Sequence, residues 1–137
     1  MGFVVDASLI VASLVPEVDT DTARLAMVDV QQAGAIAPPH LTLEVANALR
    51  MAVRRKRCSD AEVDDAVTQL LDLSIEDDRE TAVHAWTTTL RLAVDHSLTL
   101  YDSAYLELAV RLRLPLASCD RDLIAAARRQ QLEVVTP

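Results

Sequence analysis

The sequence feature that most constrains the fold is a short apolar strand followed directly by a carboxylate, and it occurs twice. FVVDASL, residues 3–9, places Asp6 after three strand-forming residues, and LPLASCD, residues 114–120, ends on Asp120. Short apolar strands separated by helical segments are typical of a parallel sheet with helices on both faces. Ligands bind such sheets beyond the carboxyl ends of the strands. We therefore expect both acids at one edge of a sheet, in a functional site.

Strand and helix patterns alternate along the chain, and Pro38 and Pro39 are tolerated only in the first turn of the helix that follows them. This alternation predicts one α/β domain over residues 1–137, with a central, mainly parallel sheet between two layers of helices. The predicted strands are residues 3–6, 35–37, 73–75, 116–119 and 132–135. The predicted helices are residues 8–15, 19–33, 41–57, a helix capped by Ser59 that reaches 71, 79–95, 99–113 and 120–130.

Composition excludes several classes of protein. Hydrophobic residues make up 51% of the 137 positions, enough for one sizeable core, but aromatics make up only 3%, which argues against an RNA-binding sheet with aromatic stacking platforms. Cys58 and Cys119 form no CxxC pair, so neither a zinc knuckle nor a disulfide framework is indicated and a reducing cytoplasm is expected. No apolar run predicts a membrane span or a signal peptide.

The net charge of −8 argues against nucleic-acid binding by overall field, but the charges are unevenly distributed. Five of the thirteen basic residues lie within residues 50–57. This basic run is compatible with a solvated helix end, where cations complement the helix dipole, and equally with a functional role.

Two helices bring further acids toward the same sheet edge. Asp102 lies on the predicted apolar face of its helix, with Ser103, Glu107 and Arg111 on the opposite face. A carboxylate on an apolar face needs a cation or a row of hydrogen-bond donors. The alternative is a capping box with Thr99, in which the acid bonds back to the helix cap.

The other three acids also have structural alternatives. Glu44 lies at the edge of the apolar side of its helix, where it either faces a cleft or is an ordinary glutamate near a positive helix start. Asp120 is a good N-cap candidate. Asp6 is the hardest to explain structurally, because Asp is poorly suited to strands and Ser8 could cap the following helix.

Together, Asp6, Glu44, Asp102 and Asp120 predict an acidic cluster. Two like charges ~4 Å apart repel by roughly 4 kcal/mol even at an effective dielectric of 20, so such a cluster calls for a divalent cation. Hard oxygen ligands favour Mg²⁺ or Mn²⁺ over zinc. The histidines lack metal-ligand spacing and are interpreted as structural or solvent-facing: His40, His84 and His96.

The motifs resemble those of the PIN-domain ribonucleases and, among them, the VapC-type toxins of bacterial VapBC toxin–antitoxin modules. The resemblance covers almost the whole chain and rests on VVDASLIVA, PPHLTLEVANALR, LTLYDSAYLELAVRLRLPLASCDRDL and LEVV. The four acids of the family fall in order on Asp6, Glu44, Asp102 and Asp120. Ser118 stands where many members have threonine, and the role of Asp122 stays open.

The resemblance implies a PIN-like fold and an endoribonuclease that holds one or two Mg²⁺ (or Mn²⁺) ions. Asp6 and Asp102 would be the principal ligands, completed by Glu44 and Asp120. It further implies a homodimer and inhibition by a VapB-type antitoxin. Two further groups of residues would support cleavage. Ser8 and Ser118 would orient the carboxylates. The RNA backbone would be contacted by Arg50, Arg54 and Arg55.

There are three alternatives to a ribonuclease. A haloacid-dehalogenase-like phosphatase needs a second acid two residues after the first, where this chain has Ser8. A receiver-type phosphoacceptor needs paired acids after the first strand and a lysine after the last, which are also missing. A non-catalytic binding module whose acids only cap helices remains compatible with the sequence.

Overall fold

Five short parallel strands and eight α-helices make up the structure, a computed structural model that describes residues 2–16 and 20–137. The strands are β1 (Phe3–Val5), β2 (Ala35–Ala37), β3 (Ile75–Asp77), β4 (Leu116–Ala117) and β5 (Val134–Val135). The helices are α1 (Ala7–Leu14), α2 (Thr20–Ala33), α3 (Leu41–Arg54), α4 (Asp60–Leu71), α5 (Thr81–His84), α6 (Leu90–His96), α7 (Leu100–Leu112) and α8 (Arg121–Arg129). A π-helical turn, Ala85–Thr89, joins α5 to α6.

The strands form one sheet in the order β3-β2-β1-β4-β5, and every pairing is parallel. The predicted α/β/α architecture is therefore confirmed. Val4 and Val5 of the central strand are completely buried. Val5 pairs with Ala117, so Asp6 and Ser118 leave the sheet side by side at its carboxyl edge.

Helix α7 lies at the centre of the fold and contacts β1, β4, α8 and the whole α5–α6 segment. The predicted single apolar face of this helix is wrong, because residues 103–109 are all buried. Ser103 donates a hydrogen bond to the Thr89 carbonyl at 2.7 Å, and Glu107 is only 2% exposed. The helix is enclosed from opposite sides, so its polar residues are buried as well.

Several predicted boundaries are corrected by local geometry. Helix α3 ends at Arg54 rather than 57, because Lys56 adopts a left-handed φ of 57° that ends the helix. The predicted continuous helix 79–95 is instead interrupted by the π turn. Strand β3 lies two residues later than predicted. The predicted start of the second helix at Asp19 lies outside the described residues.

Some predicted caps are confirmed. Ser59 and Glu62 form a capping box at the start of α4, with the two reciprocal hydrogen bonds at 3.1 and 3.0 Å. Asp120 caps α8, as predicted. In the part of the chain that the structure describes, no helix has the length and apolarity needed to cross a membrane.

Candidate functional site

Asp6 lies where β1 ends and α1 begins, and it is only 4% exposed. Its Oδ1 accepts hydrogen bonds from the Ser8 hydroxyl at 2.7 Å and from the Leu9 backbone N–H at 3.3 Å. Its Oδ2 accepts one from the Ser118 hydroxyl at 2.8 Å. Asp6 is therefore the N-cap of α1, and the expectation that Ser8 would take this role is wrong, because Ser8 already lies inside the helix.

Burial has a large effect on this carboxyl group. It raises the pKa of Asp6 from 3.8 to about 6, and it outweighs the hydrogen bonds from Ser8, Ser118 and Leu9, which lower the pKa. The negative charge of Asp120 raises the pKa further. The ionised form of Asp6 is thus held at a cost in free energy, which a nearby cation would offset.

The two serines that bond to Asp6 are themselves held in place. The Ser8 Oγ accepts a hydrogen bond from the Cys119 N–H at 2.8 Å, and the Ser118 Oγ accepts one from the Asp120 N–H at 3.0 Å. Both hydroxyl hydrogens are therefore free to point at Asp6. These contacts join the end of β1 to the loop after β4.

Asp120 and Asp102 each lie at the start of a helix at this edge. Asp120 Oδ1 accepts from the Leu123 N–H at 2.9 Å, which leaves Oδ2 outside the cap. Asp102 lies in the first turn of α7, where its N–H donates to Thr99 Oγ1 at 3.1 Å. Burial raises the pKa of the half-buried Asp102, and the charges of Asp120 and Glu44 raise it further, whereas a Thr99 hydrogen bond and the His40 charge lower it.

Glu44 lies in the first turn of α3, and its side chain is 33% exposed. The Tyr105 hydroxyl donates to Glu44 Oε1 at 2.7 Å, and His40 Nε2 lies 3.2 Å from the same oxygen. Neither neighbour of Glu44 was predicted from the sequence, and His40 was interpreted as structural or solvent-facing. The only signals were positional: His40 precedes Glu44 by one turn, and Tyr105 follows Asp102 by one turn on α7.

Mutual charge effects connect the four carboxylates. The charge of Asp120 acts on Asp6 and on Asp102, and the charge of Glu44 acts on Asp102. Within residues 2–16 and 20–137, no lysine or arginine forms an ion pair with any of the four. The structure therefore brings the four acids to one region without a lysine or arginine counter-charge from the described residues.

The fit to a divalent cation lies in the chemistry and placement of these acids. Their hard oxygen donors suit Mg²⁺ or Mn²⁺. In the described residues, however, no three His, Cys, Asp or Glu side chains are arranged to ligate one ion. Asp102 and Asp120 are half-buried and Glu44 is partly exposed, so these three side chains are accessible to an ion from solution.

The basic run lies elsewhere. Arg50, Arg54 and Arg55 are exposed, and Arg54 ends α3, whose first turn carries Glu44. Ten residues at ~1.5 Å each separate Glu44 from Arg54 by about 15 Å along the helix axis. Arg54 and Arg55 therefore lie at the opposite end of α3 from Glu44. Asp122 is exposed in the first turn of α8.

Comparison with known proteins decides the family. The PIN domain family model matches residues 3–129. The chain belongs to the PIN domain family. The chain is also 32% identical over 127 residues to Ribonuclease VapC3 of Pyrobaculum aerophilum, covering 90% of this chain and 92% of that protein. The resemblance to PIN-domain, VapC-type proteins drawn from the sequence motifs is thus confirmed.

Solved structures agree on the fold of this PIN domain protein. PAE2754 from Pyrobaculum aerophilum superposes with a TM-score of 0.71 at 22% identity, covering 99% of this chain and 90% of that one. VapC20 of Mycobacterium tuberculosis, described as a sarcin–ricin loop cleaving toxin, superposes with a TM-score of 0.66 at 16% identity, covering 91% and 95%. At these identities the likeness concerns the fold alone.

Proposed function

We propose that this single-domain PIN protein is a Mg²⁺- or Mn²⁺-dependent endoribonuclease that acts as the toxin of a toxin–antitoxin pair. The observation that carries the proposal is Asp6: a carboxylate 4% exposed, with its pKa raised to about 6, beside other acids that no lysine or arginine of the described chain neutralises. Such a cluster is stabilised by a cation from solution. The similarity to Ribonuclease VapC3 supports RNA as the substrate.

Each acid has a role in this proposal. Asp6 and Asp102 are the principal metal ligands, and Glu44 and Asp120 complete the site directly or through water. When bound, the cation would supply an activated water and neutralise the charge that develops on the scissile phosphodiester. Ser8 and Ser118 keep Asp6 in place through the hydrogen bonds at 2.7 and 2.8 Å.

The test of the chemistry is RNA cleavage by the purified chain. Cleavage should require Mg²⁺ or Mn²⁺ and should stop in excess chelator. The competing function is a non-catalytic module whose acids only cap helices, which the capping bonds of Asp6 and Asp120 favour. Cleavage that continues unchanged in chelator contradicts the metal site, and metal-independent RNA binding without cleavage supports the competing module.

The basic run gives a second test. If Arg54 and Arg55 neutralise RNA phosphates, replacing both with alanine should weaken RNA binding for every sequence and reduce the salt-dependence slope by roughly one to two units. The matched control is the alanine double variant of Arg128 and Arg129, two exposed arginines on α8. Equal slopes for both double variants would leave the basic run as a solvated helix end.

The toxin role places the protein in the cytoplasm, as a homodimer restrained by a VapB-type antitoxin that blocks the acidic edge. Expression of the chain alone should arrest bacterial growth, and co-expression of a small protein encoded beside it should restore growth and co-purify. Harmless expression of an active nuclease would remove the toxin assignment and leave the chemistry intact.

A further inference from the structure

Within the described residues, the polar contacts of the Glu44 carboxylate all involve one of its two oxygens. Its Oε1 receives the Tyr105 hydroxyl at 2.7 Å and lies 3.2 Å from His40 Nε2. In the part of the chain described, Oε2 has no hydrogen-bond partner. One oxygen of this carboxylate is therefore fixed by the protein, and the other remains available to a ligand.

The Tyr105 hydroxyl is positioned among the acids themselves. Tyr105 is only 1% exposed, and burial together with the hydrogen bond to Glu44 raises the pKa of its hydroxyl. The charges of Asp6 and Asp102 raise this pKa as well. Because it is buried and donates to Glu44 Oε1 at 2.7 Å, the hydroxyl acts as a fixed hydrogen-bond donor at the inner side of the acidic edge.

The His40 imidazole also lies beside Glu44 Oε1, and its neighbours set its orientation. Its Nε2 lies 3.2 Å from the Tyr101 carbonyl as well as 3.2 Å from Glu44 Oε1. Both neighbours are acceptors, so Nε2 must carry the hydrogen. The imidazole packs edge-on against the rings of Tyr101 and Tyr105, with centroids 5.5 and 5.3 Å apart. Its orientation is thus set by two aromatic rings.

We propose that Tyr105, assisted by His40, is a positioning residue that holds Oε1 of Glu44 so that Oε2 faces the cation site of the acidic edge. A partly exposed glutamate side chain has several rotamers. If the side chain has to be ordered when the cation binds, the loss of rotamer freedom lowers the metal affinity. The Tyr105 hydrogen bond to Oε1, with the His40 imidazole packed beside it, restricts those rotamers before the cation arrives. Asp102 and Tyr105 lie one turn apart on α7, so the same helix carries a ligand and the group that orients a second ligand.

This inference rests on the proposed function, because it assumes that the acids bind a divalent cation. A purely structural role is the alternative, in which the Tyr105–Glu44 bond only joins α7 to α3. The two roles differ in what they affect. A structural bond changes thermal stability, whereas a positioning bond changes metal affinity, and it does so only while Glu44 is present.

The experiment is calorimetric titration of Mn²⁺ into the wild-type protein and into Tyr105→Phe. Loss of an outer-shell hydrogen bond typically costs ~10- to 100-fold in metal affinity, so we expect Tyr105→Phe to bind Mn²⁺ about tenfold more weakly. The control is Tyr101→Phe, which removes the hydroxyl of the neighbouring, exposed tyrosine and keeps the ring beside His40. Its affinity should equal that of wild type.

A double-mutant cycle separates positioning from stability. In the Glu44→Gln background, adding Tyr105→Phe should change Mn²⁺ affinity by less than about twofold, because contacting groups that act as a unit are not additive. If Tyr105→Phe binds Mn²⁺ as tightly as the wild type does, and the wild type cleaves RNA, the inference is overturned and the proposed function stands. Equal losses of Mn²⁺ affinity when Tyr105→Phe is added to the wild type and to Glu44→Gln would also overturn the inference. Absence of Mn²⁺ binding to the wild type would overturn the inference and the metal site together.

Discussion

The two ends of α7 carry acidic groups in opposite electrostatic settings. Near its last turn, Arg111 forms ion pairs with Asp78 at 2.7 Å, with Glu107 at 2.8 Å and with Glu80 at 3.4 Å. Burial is the largest single effect and would raise the pKa of Asp78. The hydrogen bonds from Arg111, Thr81 and the Glu80 backbone, together with the Arg111 charge, outweigh it, so the pKa is lowered. Near the first turn, the pKa of Asp102 is raised, and no arginine of the described chain pairs with it.

This contrast separates a structural set of acids from the set proposed to be functional. The Arg111 cluster contains its own cation, because the guanidinium pairs with the buried carboxylates of Asp78 and Glu107. The acidic edge has comparable burial at Asp6 but only hydroxyl, imidazole and backbone donors. Burial of an acid is therefore a poor indicator of function by itself, and the source of its counter-charge is the better one.

The largest effect is expected from Arg111→Met. Removing the charge strands the buried Asp78 and Glu107, 5% and 2% exposed, and loss of one partner of a buried ion pair costs about 3–5 kcal/mol. Chemical denaturation should measure this drop in unfolding free energy, and Mg²⁺ should not restore it. Arg91→Met, at an exposed helical site, should change stability by less than about 0.5 kcal/mol.

The next effect compares two acids of the same helix. Asp102→Asn should lower RNA cleavage by more than the ~10- to 100-fold cost of losing an outer hydrogen bond, because it removes a metal ligand. Glu107→Gln should lower the melting temperature but keep the cleavage rate per folded molecule. Cleavage assays with the folded fraction measured by circular dichroism test this. Similar activity losses in both variants would remove the distinction between the two ends of α7.

Much of this fold was predictable, because strands and caps have local signatures. The caps at Ser59 and Asp120 were predicted from the sequence directly. Strand β3 was placed too early because its residues include Glu76 and Asp77, which are unusual in a strand. Its position at the edge of the sheet tolerates them. The π turn has no comparable local signal, because it depends on packing against α7.

The candidate site was predictable only as a set of acids. The order of strands and helices was enough to bring Asp6, Glu44, Asp102 and Asp120 to one edge. The hydrogen bond between Tyr105 and Glu44 joins residues 61 positions apart, and no periodicity indicates which buried tyrosine meets which glutamate. The cap at Asp6 was missed because a serine two residues later looked like the better candidate.

A smaller effect concerns pH in the absence of metal. Unfolded Asp6 loses its proton near pH 3.8, whereas folded Asp6 keeps it up to about pH 6. The folded state binds more protons between these values, so stability should fall as pH rises from about 4 to 6, by on the order of 2 kcal/mol. Asp6→Asn, which still caps α1, should abolish this loss.

The pH dependence of stability expected from Asp78 has the opposite sign, so Asp78 serves as an internal comparison. Its folded pKa is lowered below 3.8, so its stabilisation is present above that pH and is lost as pH falls through the folded pKa. Urea unfolding in chelator at stepped pH values measures both. A wild-type stability that does not decline between pH 4 and 6 would contradict the strain assigned to Asp6.

The central claim is that the acidic edge needs a divalent cation from solution, because no lysine or arginine of the described residues pairs with its acids. Thermal melts of wild type and Asp102→Asn, in chelator and in millimolar Mg²⁺, test it most directly. In chelator the variant should be more stable by on the order of 1 kcal/mol, because one repelling charge is gone. Mg²⁺ should raise the wild-type melting temperature and leave the variant nearly unchanged. A variant less stable than wild type in chelator, with no Mg²⁺ effect on either protein, would show Asp102 to be only a helix-start acid and contradict the account.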